Sequence, residues 1–88
     1  MTPPNSEVLE LATAIREALD VPVADSSGHG ARLAEEMLRL ERAALVRGAL
    51  RGLTDGVATV STATATIREA LAEMPVTYPV HQRAEVSP

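Results

Sequence analysis

The chain has no cysteine, no phenylalanine, no tryptophan and no lysine, and its single aromatic residue is Tyr78. Without cysteine there is no disulfide scaffold, no thiolate metal site and no cysteine nucleophile. Without aromatics there is no platform on which bases could stack. All eight basic residues are Arg, and Ala, Gly, Arg and Pro together make 34 of the 88 residues. That bias is the imprint of a GC-rich genome, so the missing lysine reports codon usage before mechanism. Long hydrophobic runs are missing too. The longest aliphatic stretch is Ala43-Ala44-Leu45-Val46, far short of the ~20 residues of a membrane-spanning helix. The first residues carry neither a basic cluster nor an apolar run of the kind a secretory signal needs. The expectation is a soluble cytoplasmic chain with no membrane partner.

What is present suits one small domain. A chain of 88 residues buries only about two-thirds of its unfolded surface. Forty residues are hydrophobic, but fifteen of these are Ala; ten Leu, nine Val, two Ile and three Met remain to build a core. Net charge is −4 and unevenly placed: −4 over residues 1–25, +2 over 26–52 and −2 over 53–88. An acidic chain with a mildly basic middle speaks against general nucleic-acid binding, which needs clustered cations to neutralise phosphates.

The hydrophobic spacing predicts an all-α fold, a small three-helix arrangement with a flexible N-terminal lead and an extended, proline-containing C-terminal tail. Helix 1 is expected over about 6–20. Asn5 or Ser6 can cap it, Val8, Leu11, Ala12, Ile15, Ala18 and Leu19 form its stripe, and Pro22 stops it. Residues 23–30 read as a linker. Helix 2 is expected over about 31–53. Its stripe of Leu33, Met37, Leu40 and Ala44, widened by Leu38 and Leu45, gives way to Val46, Ala49, Leu50 and Leu53 on the opposite side. Such a helix must be covered on two sides, by helices 1 and 3 or by a second chain. Helix 3 is expected over about 57–74, with Val57, Val60, Thr64, Ile67, Leu71 and Met74 at alternating spacings of three and four. A strand competes with helix over 58–66, where Thr and Val favour extended backbone. Tyr78 is placed to pin the 75–88 tail to the body.

Four features could carry chemistry. Ile15-Arg16-Glu17-Ala18-Leu19 recurs as Ile67-Arg68-Glu69-Ala70-Leu71, either a duplicated helix or a coincidence within a narrow alphabet. Ala44, Gly48, Gly52 and Gly56 fall every fourth residue, which permits close helix approach or merely weakens the helix end. Arg42, Arg47 and Arg51 lie in a stretch free of acids. They read as a solvated helix end favoured by the dipole, or as a basic patch for an acidic partner. His29 and His81 stand alone, without the further ligands a metal site requires. No nucleophile, phosphate loop or paired carboxylate stands out, so no enzymatic activity, cofactor, metal or small-molecule substrate is expected.

Two resemblances accompany this reading. Val60-Ser61 followed by Thr66-Ile67-Arg68-Glu69-Ala70-Leu71 resembles the recognition segment of winged-helix repressors, although no Arg follows Val60-Ser61 and two extra residues separate the halves. It implies a DNA-binding regulator using residues 60–71. More broadly, three segments are similar to small uncharacterised helical proteins of actinobacteria and their phages or mobile elements: residues 15–22, Leu40-Glu41-Arg42, and residues 74–78. That resemblance implies a helical body and no reaction. The leading expectation is a non-enzymatic protein acting by helix-mediated contact, as a homo-oligomer or with one protein partner. The residues nominated for contact are Val57, Val60, Ile67, Leu71 and Met74 on helix 3 with Val46, Leu50 and Leu53 on helix 2.

Overall fold

A computed structural model describes residues 6–25 and 28–80. Three helices follow one another: α1 (Ser6–Leu19), α2 (His29–Thr54) and α3 (Val60–Ala72). Among the described residues there is no strand, only an isolated antiparallel bridge between Ala24 and Val80. The fold is the all-α three-helix arrangement expected. The N-terminal lead and residues 81–88 of the tail lie outside the described residues, as do Asn5 and His81.

The helix ends differ from expectation for identifiable reasons. Helix α3 begins at Val60, three residues later than its spacing suggests, because the chain must first turn. Gly56 takes φ +76°, a left-handed conformation that disfavours residues with a Cβ. The Gly52 carbonyl then accepts from the N–H groups of both Val57 and Ala58. Thr59 closes the turn as N-cap, its Oγ1 accepting from Thr62 N–H at 3.0 Å. Residues 60–66 are therefore helical and the strand alternative is excluded. The helix ends at Ala72, so Met74 lies beyond it, in the stretch leading to Pro75. Helix α2 starts at His29, which makes that histidine the first residue of a helix and not part of a turn.

Two hydrophobic clusters hold the elements together. The first joins all three helices through Leu11, Ala14, Ala18, Val46, Ala63 and Ile67, with Ile15, Leu45, Ala49, Leu53, Val60 and Leu71 packed against them. Ile67 is wholly buried, and buried alanines on α1 and α3 keep those two helices close. Indeed α1 packs more extensively on α3 than on α2. The second cluster is small: Val21, Leu38 and Tyr78, with Ala24, Ala31, Ala34, Met74 and Val76 around them. It forms where the exit of α1 and the segment 75–80 both cross the N-terminal half of α2.

That segment is not a loose tail. The Tyr78 hydroxyl donates to the Pro22 carbonyl at 2.6 Å, and Asp25 N–H donates to the Pro79 carbonyl at 2.7 Å. Residues 75–80 form a strap across α2, pinned by the aromatic ring that the sequence singled out.

Candidate interaction face on helix α2

Helix α2 is 26 residues long and amphipathic on two faces. The buried face carries Leu38, Arg42 and Val46, with Ala31, Ala34, Leu45, Ala49 and Leu53 partly buried on the same side. At 100° per residue, Leu33, Met37, Leu40 and Ala44 lie roughly 170° away from that stripe. They face outward: Leu33 is 48% exposed, Met37 53% and Leu40 69%. Of the two apolar sides that the spacing marked on this helix, the one carrying Leu33, Met37, Leu40 and Ala44 is the outer one. Helices α1 and α3 both pack on one face of α2 and, among the described residues, no helix covers the other.

Burial follows stripe length. The inner stripe runs from residue 31 to 53 and can meet two helices and the strap. The outer row covers only 33–44. Arg42 concealed this in the sequence, because a cation interrupts the longer stripe at its midpoint.

Arg42 is 9% exposed, which corrects its expected place on a solvated face. Its Nη2 donates to the Met74 carbonyl at 3.2 Å, just past the C-terminus of α3, where a cation complements the helix dipole. Arg47 and Arg51 are exposed and continue the outer row in the direction of the α2 C-terminus. The three arginines therefore do not form one patch.

The nominated contact residues are mostly internal. Val46 and Ile67 are core, while Val60, Leu71 and Leu53 pack against that core. Met74 belongs to the second cluster. Of these only Val57, in the turn before α3, stands largely in solvent at 81% exposed, and Leu50 is 39% exposed. Among the described residues, the row Leu33, Met37, Leu40 and Ala44 is the apolar side of α2 that no helix covers.

One electrostatic device lies on the inner side of α2, where the exit of α1 crosses it. Glu35 Oε1 accepts from Ala24 N–H at 2.8 Å, and Glu35 Oε2 accepts from Arg39 Nε at 2.9 Å. The Ala24 hydrogen bond first, and the Arg39 bond next, hold the Glu35 carboxyl below its ordinary value. This anchors the exit of α1 on α2. Burial, and then the nearby Glu35 charge, push the Tyr78 phenol upward, so it remains a hydrogen-bond donor in neutral solution.

Two grooves flank the outer row. One, of about 690 Å³, runs between Met37, Glu41 and Ala44 of α2 and Met74, Pro75 and Thr77 of the strap. The other, of about 300 Å³, lies over Gly48 and Gly52 against Ala58 and Thr66, and shares Ala44 with the first. Of Gly48 and Gly52 only Gly52 serves a close approach, since an added Cβ would stand 3.3 Å from Ala58 Cβ. Gly48 faces open space. Among the described residues no cluster of His, Asp or Glu could hold a metal ion, and no helix is long and apolar enough to cross a membrane.

No family model matches the chain, and neither a curated protein nor a solved structure is significantly similar to it.

Proposed function

We propose that this chain is a non-enzymatic interaction module that docks through the outer face of α2. The observation that carries this reading is the row Leu33, Met37, Leu40 and Ala44, opposite the buried stripe and exposed among the described residues. Large apolar side chains at consecutive turns form a contiguous patch, and contiguous exposed patches mark interaction sites. The spacing of four, three and four suits a helical or grooved apolar partner surface, in the manner of an amphipathic helix laid into a groove.

The test is site-specific photo-crosslinking in the native host. A photoreactive residue at position 40 should give a discrete adduct that is absent when it stands at Arg68, exposed on α3. Introducing Met37→Glu should abolish the adduct while leaving helicity intact, since Met37 contributes little to the core. Equal adducts at positions 40 and 68, or none at 40, would refute the proposal. DNA binding through residues 60–71 has no comparable support. That segment is one continuous helix whose exposed side chains are Ser61, Thr62, Ala65, Thr66, Arg68 and Glu69, a single cation beside an acid.

A further inference from the structure

We infer that residues 75–80 are a hinged strap that opens in the native protein while the three helices stay packed. The opening does not depend on the docking role proposed above.

The two hydrophobic clusters share no residue. Every side chain packed around Ile67 belongs to α1, α2 or α3, so the strap can leave without removing any of them. Within 75–80 only Val76 and Tyr78 join the second cluster. The other ties are polar and collect at the far end of the strap. The Tyr78 hydroxyl donates to the Pro22 carbonyl, Asp25 N–H donates to the Pro79 carbonyl, and Val80 bridges to Ala24. All three end on residues 22–25. At the near end Arg42 holds the Met74 carbonyl. Between the two ends, the groove of about 690 Å³ separates Pro75 and Thr77 from Ala34, Met37 and Leu38 of α2. A segment fastened at its ends over an unfilled groove has few contacts to lose, and such segments open below the free energy of global unfolding.

The closed state also carries a cost. Arg42 is 9% exposed, and its Nε–H is buried with no acceptor. Its Nη2 meets a backbone carbonyl, and among the described residues no carboxylate forms an ion pair with it. A buried donor without a partner forfeits the hydrogen bond that water would make, and a buried cation without a counter-charge is costlier still. Because its one partner, Met74, adjoins the strap, opening lets water reach the guanidinium. That gain offsets part of what the far ties lose. Opening also uncovers Val21, Leu38 and the Tyr78 ring, the whole buried set of the second cluster, and joins them to Met37 and Ala44 along the groove. The strap thereby regulates how much apolar surface α2 presents.

Hydrogen exchange of the unmodified chain, resolved by NMR, tests the opening. Corrected for intrinsic rates, the Asp25 amide should exchange at least about tenfold faster than the Ile67 amide, and low urea should accelerate only Ile67. A covalent lock then ties the exchange to the strap. The Asp25–Pro79 bond flanks Ala24 and Val80, which makes them a non-hydrogen-bonded pair with Cα atoms about 4.5 Å apart, within the span of a disulfide. The chain has no cysteine of its own to interfere. In oxidised Ala24→Cys/Val80→Cys the Asp25 amide should slow at least about tenfold, and reduction should restore its rate. Equal protection and equal urea dependence of Asp25 and Ile67 in the unmodified chain would make the molecule one cooperative unit and overturn the inference. Asp25 exchange that is the same in the oxidised and reduced variant would overturn it as well, and a cysteine pair that does not oxidise would deny the closed strap itself.

Discussion

Around Ile67 the three helices meet through apolar side chains, and the one buried hydroxyl beside them, on Thr64, donates within its own helix to the Val60 carbonyl. Around Tyr78 the strap and the exit of α1 meet through a phenol, a carboxylate, a guanidinium and three backbone groups. The first cluster is set by spacing along helices and tolerates small residues because alanine lets helices approach. The second has only three buried hydrophobic residues, and its order depends on hydrogen bonds from Tyr78, Arg42 and Ala24. One helix, α2, contributes Val46 to the first cluster and Leu38 to the second, with Arg42 one turn from each. The lesson is that a chain poor in large side chains can extend its packed body with a polar clasp where apolar area runs out.

The contrast can be broken most forcefully from the first cluster. Ile67→Ala removes the largest fully buried side chain and should cost about 2–5 kcal/mol. In so small a domain, far-UV circular dichroism should show loss of helix from all three elements together. Arg42→Ala addresses the second cluster, removing the bond to Met74 and the packed stem of the side chain; about 2 kcal/mol is expected in urea unfolding. Tyr78→Phe keeps the ring and removes the bond to Pro22. It should cost about 1 kcal/mol and speed amide exchange in the strap, with α1–α3 contacts unchanged. Gly48→Ala works in the opposite direction. The site is open and helical, so about 0.5–1 kcal/mol of added stability is expected, whereas Gly52→Ala should give less because of Ala58.

The smallest effect is titration of the clasp. Glu35 has a lowered value in the folded state, so its contribution is present above the ordinary value of 4.5 and is lost as pH falls through the folded one. Tyr78 is raised, so its contribution is complete below pH 10 and declines at higher pH. Because Tyr78 is the sole aromatic residue, its emission reports the clasp alone while circular dichroism reports the helices. On acidification the emission should change before the helicity does. Coincident transitions would show that the two clusters form one cooperative unit.

Much of the fold was legible in the sequence. Pro22 and Pro75 mark the ends of α1 and α3, the three- and four-residue spacings mark the helices, and Tyr78 was identifiable as a pin by being alone. The boundaries near Val57 were not legible, because hydrophobic spacing continues through a turn that Gly56 and Thr59 impose on the backbone. The two sides of α2 were visible, but not which faced inward. That depended on Arg42, whose burial is made possible by the Met74 carbonyl, 32 positions distant in the chain, a relation no local pattern contains. The pentapeptide repeat illustrates the same limit. Ile67 is fully buried and Ile15 only partly, while Ala18 is buried and Leu19 stands half exposed. Identical residues meet different neighbours.

The clasp also imposes an order in time. The Ala24 amide can find Glu35 once 11 further residues exist, but the Pro22 carbonyl must wait for Tyr78, 56 positions on. During synthesis, α1 and α2 can pair before the strap has left the ribosome. The tyrosine bond then closes a loop of 56 positions, at an entropic disadvantage that grows only logarithmically with its length. In unfolding the sequence should reverse: the strap lifts first, baring Leu38 and Val21 beside the outer row of α2 and briefly widening the apolar surface available for association.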